Sequence, residues 1–418
     1  MEFIADLHLH SKYSRATSKD MDLENLDKWA KIKGIKVLGT GDFTHPLWFQ
    51  ELKEKLEPAE PGLFKLKRER EGKIRFLLST EVSCIFSKEG KVRKIHLVIL
   101  APSFEIVEKI NAQLSWVGNL KVDGRPTLGL DAKELMKIVL DISKECLLIP
   151  AHIWTPWFSL FGSRSGFDSI EECFEEYSKY IFAAETGLSS DPPMNWRLSA
   201  LDRITLISNS DAHSPRKIGR EANLFGGEEI SYSEIIKAIK KETDKLKLIS
   251  TLEFYPQEGK YHYDGHRNCG VRLSPKETKK YNGICPVCGK PLTIGVLSRV
   301  EELADRPEGF KPETAVPFKS LIPLEEIIGE VLGLGKESKE VLSIYNNLIR
   351  EFGNEFNLLL KVPPEDIGKK SLPEIGEGIK RMREGKVFIE PGYDGVFGKV
   401  KLFSRKERKD LFNQKTLF

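Results

Sequence analysis

The sequence predicts an α/β protein: a barrel of alternating strands and helices, then a zinc-ribbon segment, then a mainly helical C-terminal part. In the first part, up to about residue 245, short β-branched or aliphatic runs alternate with longer amphipathic ones. Near residue 250 the composition becomes aromatic and polar, and a His/Cys cluster follows. From Leu297 onward the apolar residues recur at helical spacing. These changes predict domains at 1–245, 246–300 and 301–418.

The first part contains about seven predicted strands. They are expected at Phe3–Leu9, Lys36–Thr40, Phe76–Val82, Ile95–Leu100, Leu147–Ala151, Ile181–Glu185 and Ile204–Ser208. Residues Asp22–Lys33 carry apolar side chains at helical spacing, as expected for a connecting helix. Strands separated by such helices imply βα units, a largely parallel sheet and a barrel somewhat short of eight strands.

One stretch, Thr80–Leu100, is predicted to fold back on itself around the turn Lys88-Glu89-Gly90. Pairing centred on that turn sets Glu81 opposite Val98 and His96 opposite Ser83. Glu81 and His96 are then diagonal neighbours on one face, within reach of each other.

The C-terminal part is predicted to contain helices at Leu324–Leu332 and Val341–Leu360. It ends in a small hairpin formed by Lys386–Ile389 and Val396–Phe403.

The bulk composition limits the possible functions. The 418 residues carry a net charge of only +3, so any basic surface must be local. The first apolar run leads directly into His8, which leaves no room for a leader, and no apolar stretch approaches the ~20 residues that cross a bilayer. Three of the six Cys are scattered, which makes a disulfide framework improbable. We expect a soluble, cytoplasmic, monomeric protein.

All eight histidines lie in motifs typical of metal ligands. Alternate residues of a strand face the same way, so His8 and His10 project together. A single strand histidine is usually a satisfied core residue, but six of them at predicted strand ends indicate a metal centre. The nine candidate ligands are His8, His10, Asp42, His45, Glu81, His96, His152, Asp211 and His213. So many ligands suit two or three ions.

These motifs resemble those of the PHP (polymerase and histidinol phosphatase) superfamily. The resemblance is carried by Asp6–Ser11, Gly39–His45, Glu81 with His96, His152 and Asp211–His213. It implies a distorted (β/α)7 barrel with a trinuclear site, commonly zinc or manganese, that hydrolyses phosphoesters. Magnesium is a further option for the metal.

Two departures from the superfamily pattern concern the ligands. The second motif usually has Asp followed directly by His, whereas Phe43 and Thr44 separate Asp42 from His45 here. Which of Asp42 and His45 is the direct ligand therefore stays open. A histidine expected soon after the first motif is absent, and Ser14, Arg15 and Thr17 occupy that stretch.

The ligand set favours hydrolysis over redox chemistry, because bound divalent ions activate water and neutralise charge on a phosphate. Glu81 and Asp211 are expected to serve catalysis through the ions. Asp191, in a loop after the predicted strand that ends at Glu185, is either a general acid or base or merely a helix cap near Met194. Glu185 is expected to support a ligand and not to be one.

A second metal site is predicted after residue 260. His266, Cys269, Cys285 and Cys288 form a Cys3His arrangement with Gly directly after the last ligand of each pair, typical of one structural zinc. His262 is an alternative to His266. Arg267, Lys279 and Lys280 lie around the site among tyrosines, and such a surface fits nucleic acid, although solvated lysines alone would look the same.

The combination of barrel, zinc ribbon and helical tail resembles a family of archaeal DNA-repair endonucleases within the superfamily. The resemblance implies recognition of hypoxanthine, uracil and abasic sites in DNA and cleavage on the 5′ side of the lesion. An aromatic segment directly after His152 is a candidate to contact an extruded base, with core packing as the alternative. Its candidate contacts with DNA are Trp154, Trp157, Phe158 and Arg164.

The sequence is also compatible with two other functions. A small-molecule phosphatase of the histidinol-phosphatase type would leave the zinc ribbon and tail without a role. A DNA-binding protein without activity would not need a near-complete ligand set. Residues Gln414–Leu417 resemble the beginning of a sliding-clamp-binding motif, which makes the clamp a weak candidate partner.

Overall fold

The structure is a computed structural model that describes residues 1–68 and 72–408. The chain folds into two compact units, each built from more than one segment. The first comprises Met1–Lys31, Ile35–Leu252 and Val296–Phe318, and the second comprises Ile32–Gly34, Glu253–Gly295 and Lys319–Phe418. Residues 296–318 belong to the first unit, and the His/Cys segment belongs to the second. The three-part division into domains at 245 and 300 remains a prediction.

The first unit combines strands and helices. Its strands are β1 Glu2–Asp6, β2 Val37–Gly39, β3 Leu56–Pro58, β4 Phe64–Leu66, β5 Arg75–Lys88, β6 Lys91–Ala101, β7 Thr127–Leu128, β8 Leu147–Pro150, β9 Ala183–Glu185, β10 Thr205–Ile207, β11 Ala222–Gly227 and β12 Leu246–Glu253. Its helices are α1 Leu23–Lys33, α2 Pro46–Lys55, α3 Phe104–Val117, α4 Ala132–Ile142, α5 Ile170–Phe174, α6 Pro192–Asn195, α7 Tyr232–Lys240 and, after the His/Cys segment, α9 Val296–Leu303.

Seven of these strands close a barrel in the order β1-β2-β5-β6-β8-β9-β10. The pairs β1/β2, β2/β5 and β9/β10 are parallel, whereas β5/β6 and β6/β8 are antiparallel. Backbone hydrogen bonds at the strand ends complete the ring, from Ile153 N to Glu185 O (3.1 Å) and from Asp211 N to His8 O (3.0 Å). The seven-stranded barrel predicted from the sequence is confirmed. It departs from a regular parallel barrel because strand β6 runs in the opposite direction to its neighbours.

The barrel interior is filled by aliphatic side chains from these strands, among them Ala5, Leu7, Val37, Leu77 and Ile149, all fully buried. Such a packed interior leaves the chemistry to residues at and beyond the strand ends.

The sequence analysis did not predict strands β11 and β12. They extend the sheet beyond β1 in antiparallel fashion, with Ile4 opposite Leu224 and Ala222 opposite Leu252. The sheet is therefore mixed and not largely parallel. Both strands follow the last strand that the sequence predicted for the barrel, Ile204–Ser208.

The predicted fold-back of residues 80–100 is confirmed in its register. Strands β5 and β6 pair with Glu81 opposite Val98 and Ser83 opposite His96. The turn requires left-handed backbone, with φ of 52° at Glu89 and 74° at Gly90.

The second unit combines the His/Cys segment with a helical C-terminal part. Its elements are β13 Asp264–His266, β14 Val271–Leu273, α8 Pro275–Lys280, α10 Leu324–Leu332, α11 Lys339–Phe352, α12 Glu355–Leu360, α13 Pro364–Lys370, α14 Pro373–Arg383, β16 Phe388–Glu390 and β17 Lys399–Lys401, while β15 Phe318–Ser320 begins at the boundary. The single helix predicted over Val341–Leu360 is two helices, because Gly353 ends the first and the Asn354 side chain caps the second. The terminal hairpin is confirmed, with shorter strands than predicted.

Among the described residues, no helix is both long enough and apolar enough to cross a bilayer. The clamp-like segment Gln414–Leu417 lies outside the described residues.

Candidate active site and structural metal site

Three predicted ligands have left-handed backbone, with φ of 48° at Asp42, 31° at His152 and 46° at Asp211. Each such non-glycine residue costs ~1–3 kcal/mol, and they collect at functional sites where the surroundings hold them. Here the amide of Asp211 donates to His8 O (3.0 Å) and the amide of His152 to Glu185 Oε2 (3.3 Å). These hydrogen bonds hold the backbone of Asp211 and of His152 in place.

Four side chains form a first ligand group: His8, His10, Glu81 and Asp211. His10 Nε2 lies 3.2 Å from Glu81 Oε2 and 3.1 Å from Asp211 Oδ1. Ligands around a tetrahedral zinc ion are about 3.3 Å apart at the usual bond length of about 2.05 Å. The Nε2 atoms of both histidines and Asp211 Oδ1 are buried and find no hydrogen-bond partner among the described residues. Converging, unsatisfied buried polar atoms of this kind fit a bound cation.

Glu81 also belongs to a second ligand group, with His96 and His152. Its Oε1 atom lies 2.7 Å from His96 Nδ1 and 3.1 Å from His152 Nε2, and these two nitrogens are 3.2 Å apart. The two oxygens of Glu81 thus face different groups, as in a carboxylate that bridges two ions. Imidazole and carboxylate ligands together suit zinc or manganese.

Two further carboxylates orient the paired histidines of the first ligand group. Glu185 Oε2 lies 2.9 Å from His8 Nδ1, and Asp42 Oδ1 lies 3.0 Å from His10 Nδ1. Burial opposes protonation of these imidazoles, but the nearby carboxylates outweigh it and raise the pKa of both histidines. A proton held on Nδ1 leaves the Nε2 lone pair directed at the group. Glu185 therefore supports a ligand, as the sequence predicts.

Asp42 is saturated by hydrogen bonds. Its Oδ2 atom accepts from the amide (2.6 Å) and hydroxyl (2.7 Å) of Ser11 and from the hydroxyl of Ser14 (2.9 Å). Burial raises the carboxyl pKa, but His10 and Ser11 outweigh that effect and the pKa of Asp42 stays below its usual value. The side chain belongs to neither ligand group. Its geometry is that of a residue that orients His10.

The structure also places His45 and His213 outside both ligand groups. His45 Nε2 lies 3.3 Å from Lys121 O. His213 Nδ1 lies 2.8 Å from Asp211 O, and its ring centre is 4.6 Å from that of His10. With its side chain 30% exposed, His213 stands at the mouth of the site.

An Asp42→Asn variant separates the two possible roles of Asp42. We expect it to keep its full complement of ions and to lose 10- to 100-fold of its activity, roughly the effect of removing a residue that orients a metal ligand. Metal content by mass spectrometry and turnover are the measurements, with Asp141→Asn, an exposed residue of α4, as the control. Loss of one ion per chain would make Asp42 a direct ligand.

Residues that the sequence analysis missed hold the site together. Asp6 is fully buried and accepts hydrogen bonds from the amide (3.1 Å) and hydroxyl (2.6 Å) of Ser210, and burial raises its pKa to about 6. Asn209 accepts from Leu7 N (2.7 Å) and donates to Glu185 Oε1 (2.8 Å). Asp6 could have been found, because it continues the alternation of His8 and His10 along one strand face.

The structure corrects the predicted place of Trp154. Its side chain is 1% exposed, its ring packs 5.0 Å from that of Phe161, and its Nε1 donates to Asn195 Oδ1 (2.8 Å). Trp154 is a core residue that anchors the segment after His152, which is the alternative that the sequence left open.

Other residues of the same segment do reach the surface. Trp157 is 51% exposed, with Lys94 Nζ 4.9 Å from its ring centre, and Arg164 is exposed. Phe158 is half-buried with φ of 62°, and its ring lies 4.7 Å from that of His96. Phe158 therefore packs against a candidate metal ligand, and the exposed Trp157 and Arg164 lie in the same segment of the chain.

Asp191 caps helix α6, where its Oδ1 accepts from Met194 N (3.0 Å). Burial raises the pKa of this carboxyl to about 6. It follows Gly187, whose φ is 64° and where an added Cβ would lie 2.4 Å from His152 Cβ. The loop that carries Asp191 thus packs directly against a candidate ligand.

The predicted structural site is also assembled. His266, Cys269, Cys285 and Cys288 offer ligand atoms that lie within 4.8 Å of one another. Burial raises the thiol pKa of Cys285, but the backbone amides of Cys288 and Val287 outweigh this and lower it to about 7. A thiolate is the form that binds metal.

His262, the alternative ligand, lies outside this group. It is 4% exposed, burial lowers its pKa to about 4, and its ring stacks on Tyr263 with the centres 5.5 Å apart. The basic residues around the site, Arg267, Lys279 and Lys280, are exposed. The amide of Arg267 donates to Asp394 Oδ2 (2.7 Å), so the turn after β16 supports this knuckle.

Two family models match parts of the chain. One is described as PHP-associated and covers residues 197–243, and the other is described as the MJ0043 C-terminal domain and covers residues 323–386.

Two relatives are uncharacterised proteins. MJ0043 of Methanocaldococcus jannaschii is 37% identical over 260 residues, which are 60% of this chain, and the chain spans only about a third (32%) of that protein's length. YqxK of Bacillus subtilis is 30% identical over 416 residues, which cover 95% of this chain and 98% of that protein. Relatives of this chain therefore occur outside the archaea.

Two solved structures match nearly the whole chain at 33% identity. The lesion-specific endonuclease PfuEndoQ of Pyrococcus furiosus has a TM-score of 0.86, with 96% of this chain and 95% of that chain covered. An endonuclease Q complex with a 27-mer duplex substrate, with an abasic lesion at the active site, has a TM-score of 0.84, with 98% of each chain covered. On this near-complete match, the chain belongs to the endonuclease Q family of the PHP superfamily.

Proposed function

We propose that this chain is a metal-dependent DNA-repair endonuclease that recognises hypoxanthine, uracil and abasic sites and hydrolyses the phosphodiester on the 5′ side of the lesion. The observation that carries the proposal is the pair of ligand groups that share Glu81. An endonuclease Q, a solved relative over nearly the full length, has been captured on a duplex with an abasic lesion at its active site. That relative supports DNA as the substrate here.

The residues present fit two divalent ions. Within the part of the chain that the structure describes, two ligand groups lie at the barrel mouth, and both use Glu81. A third ion would need a further carboxylate ligand, but the oxygens of Asp42 are already hydrogen-bonded to Ser11, Ser14 and His10. Divalent ions there, zinc or manganese or else magnesium, would polarise the phosphate and lower the pKa of nearby water. The chain's own part is to hold the ligands in place and to orient the histidines.

Lesion recognition is assigned to the segment after His152. A base must leave the duplex to be inspected, which is cheapest for damaged pairs. Trp157, half exposed and backed by Lys94, offers a surface on which an extruded base or its neighbour can stack. Phe158 and Arg164 belong to the same DNA-contacting surface, and the buried Trp154 supports that surface from the core.

The second unit is proposed to add a DNA surface through Arg267, Lys279 and Lys280 around one structural zinc. Cations of this kind bind phosphates without regard to sequence and make affinity depend on salt. A sliding-clamp contact through Gln414–Leu417 also remains a proposal.

A direct assay tests the proposed function. Labelled duplexes, each with one hypoxanthine, uracil or abasic site, are incubated with the full chain and Mn²⁺ or Zn²⁺ beside an undamaged duplex and histidinol phosphate. We expect a nick on the 5′ side of each lesion, an intact undamaged duplex and no free phosphate. Free phosphate without nicking would favour a small-molecule phosphatase, and a mobility shift without nicking would favour a DNA-binding protein.

Asp191 is proposed as the proton-transferring group, because its loop packs against His152 at Gly187 and burial raises the pKa of its carboxyl to about 6. An Asp191→Asn variant is expected to lose ~100-fold or more of kcat, the scale of general acid–base catalysis, with little change in affinity for an abasic duplex. The pH profile of kcat should lose one limb near pH 6. A limb that rises with pH in the wild type marks a base, because the ionised carboxylate is then the active form; a falling limb marks an acid.

The matched control is Asp131→Asn, since Asp131 caps helix α4 through Lys133 N (2.8 Å) in the same way. If Asp191→Asn matches this control in rate and pH profile, Asp191 is only a helix cap.

A further inference from the structure

One arginine stands beside the shared carboxylate. Arg125 Nη1 donates to Glu81 Oε2 at 3.0 Å, on the oxygen that faces the first ligand group. Arg125 comes from the connection between α3 and β7, which carries no recognisable motif. A guanidinium cannot be a metal ligand, because all of its nitrogens are donors. Its position next to a candidate two-ion site therefore needs another explanation.

The backbone around Arg125 is held in place from several sides. The amide of Gly124 donates to Tyr13 O (3.0 Å), Thr44 Oγ1 donates to Gly124 O (3.2 Å), and the amide of Ser83 donates to Pro126 O (3.0 Å). Gly124 approaches so closely that an added Cβ would lie 2.3 Å from Asp42 Oδ2. The guanidinium is thus presented by a fixed loop.

The exposure of the ligands shows where a substrate can enter. The side chains of His8, His10 and Glu81 are at most 1% exposed, so they line the closed end of the site. Those of Arg125 and Asp211 are 27% and 29% exposed. A phosphate that reaches the first ligand group from solvent therefore passes within reach of the Arg125 guanidinium.

Divalent ions held by Glu81 would change what Arg125 can pair with. Both oxygens of Glu81 face ligand groups, so such ions would compete with Arg125 for Oε2 and would repel its positive charge. A guanidinium has five N–H donors in a fork that matches two phosphate oxygens. Beside bound ions, the guanidinium would be stabilised by an anion that lies between it and them.

We propose that Arg125 is a catalytic residue that binds the non-bridging oxygens of the scissile phosphate; this rests on the proposed function. As the bond from water oxygen to phosphorus forms and one P–O ester bond breaks, negative charge grows on the phosphate oxygens. The guanidinium stabilises that charge, gives up no proton and forms no covalent bond. The attacking water loses one proton and the leaving oxygen gains one, and neither proton passes through Arg125.

The test compares Arg125→Ala, Arg125→Lys and wild type for metal content, for kcat/KM on an abasic duplex and for inhibition by inorganic phosphate. For Arg125→Ala we expect unchanged metal content, kcat/KM lower by ~100- to 1000-fold, and an inhibition constant for phosphate raised about tenfold or more. Arg125→Lys should recover only part of the loss, because a point charge lacks the fork. The matched control is Arg203→Ala, whose guanidinium binds Ile181 O elsewhere in the first unit.

Two results would overturn the proposal. Unchanged phosphate inhibition in Arg125→Ala would mean that the guanidinium does not contact phosphate. Loss of metal from that variant, with activity restored by added ions, would mean that Arg125 only positions Glu81. If wild type nicks no damaged duplex, the proposed function fails, but phosphate binding to the metal-loaded chain, measured by calorimetry, still decides the role of Arg125.

Discussion

A Glu81→Gln variant is expected to lose DNA cleavage almost completely, by about a thousandfold. One oxygen of Glu81 faces His8, His10 and Asp211, and the other faces His96 and His152. An amide keeps the shape but cannot bridge two cations, because one of its two ends is a donor. Losing about 4 kcal/mol of stabilisation from the ions corresponds to a factor of ~10³ in rate.

Two measurements on the same sample check this: nicking of an abasic duplex, and metal content after dialysis. We expect both to fall together, because the two ligand groups depend on one side chain. Glu108→Gln is the control, since that carboxylate is 54% exposed and pairs with Lys53 on the surface. A Glu81→Gln variant that keeps both ions and nicks at the wild-type rate would refute the shared-ligand site.

Six of the nine candidate ligands lie in the two ligand groups, and their proximity could be predicted because strand geometry has few alternatives. His8 and His10 had to share a face, and the turn at Glu89-Gly90 could set only one register that brings Glu81 to His96. The barrel followed in the same way, from alternation of strand and helix. The reversed strand β6 was implied by that fold-back.

Side-chain hydrogen bonding was harder to predict. Asp42 has the spacing of a ligand, yet Ser11 and Ser14 saturate its carboxylate, and no periodicity in the sequence encodes that contact. Trp154 lies in an aromatic segment next to His152, and its burial and its hydrogen bond to Asn195, 41 residues away, show that it faces the core. Arg125 lies in a loop, where pattern arguments give no direction for a side chain.

A Cys285→Ser variant is expected to lose the structural zinc and with it the order of the His/Cys segment. Structural zinc sites contribute ~10–16 kcal/mol in isolated zinc fingers, more than the whole stability of many small domains. Apart from the buried Cys285 the ligands are partly or fully exposed, so little apolar burial replaces the metal when it leaves. We expect one zinc fewer per chain, new protease cleavage between Arg267 and Lys290, and weaker, less salt-dependent DNA binding.

Two histidines make the decisive comparison, because they lie four residues apart and only one belongs to the cluster. His266→Gln should behave like Cys285→Ser, whereas His262→Gln should keep the zinc, since His262 stacks on Tyr263 in the interior. Cys146→Ala, a buried cysteine of the first unit, controls for the loss of a thiol alone. Zinc retained in His266→Gln but lost in His262→Gln would exchange the two assignments. Zinc retained in Cys285→Ser would contradict the Cys3His assignment, because a structural zinc ion needs all four of its protein ligands.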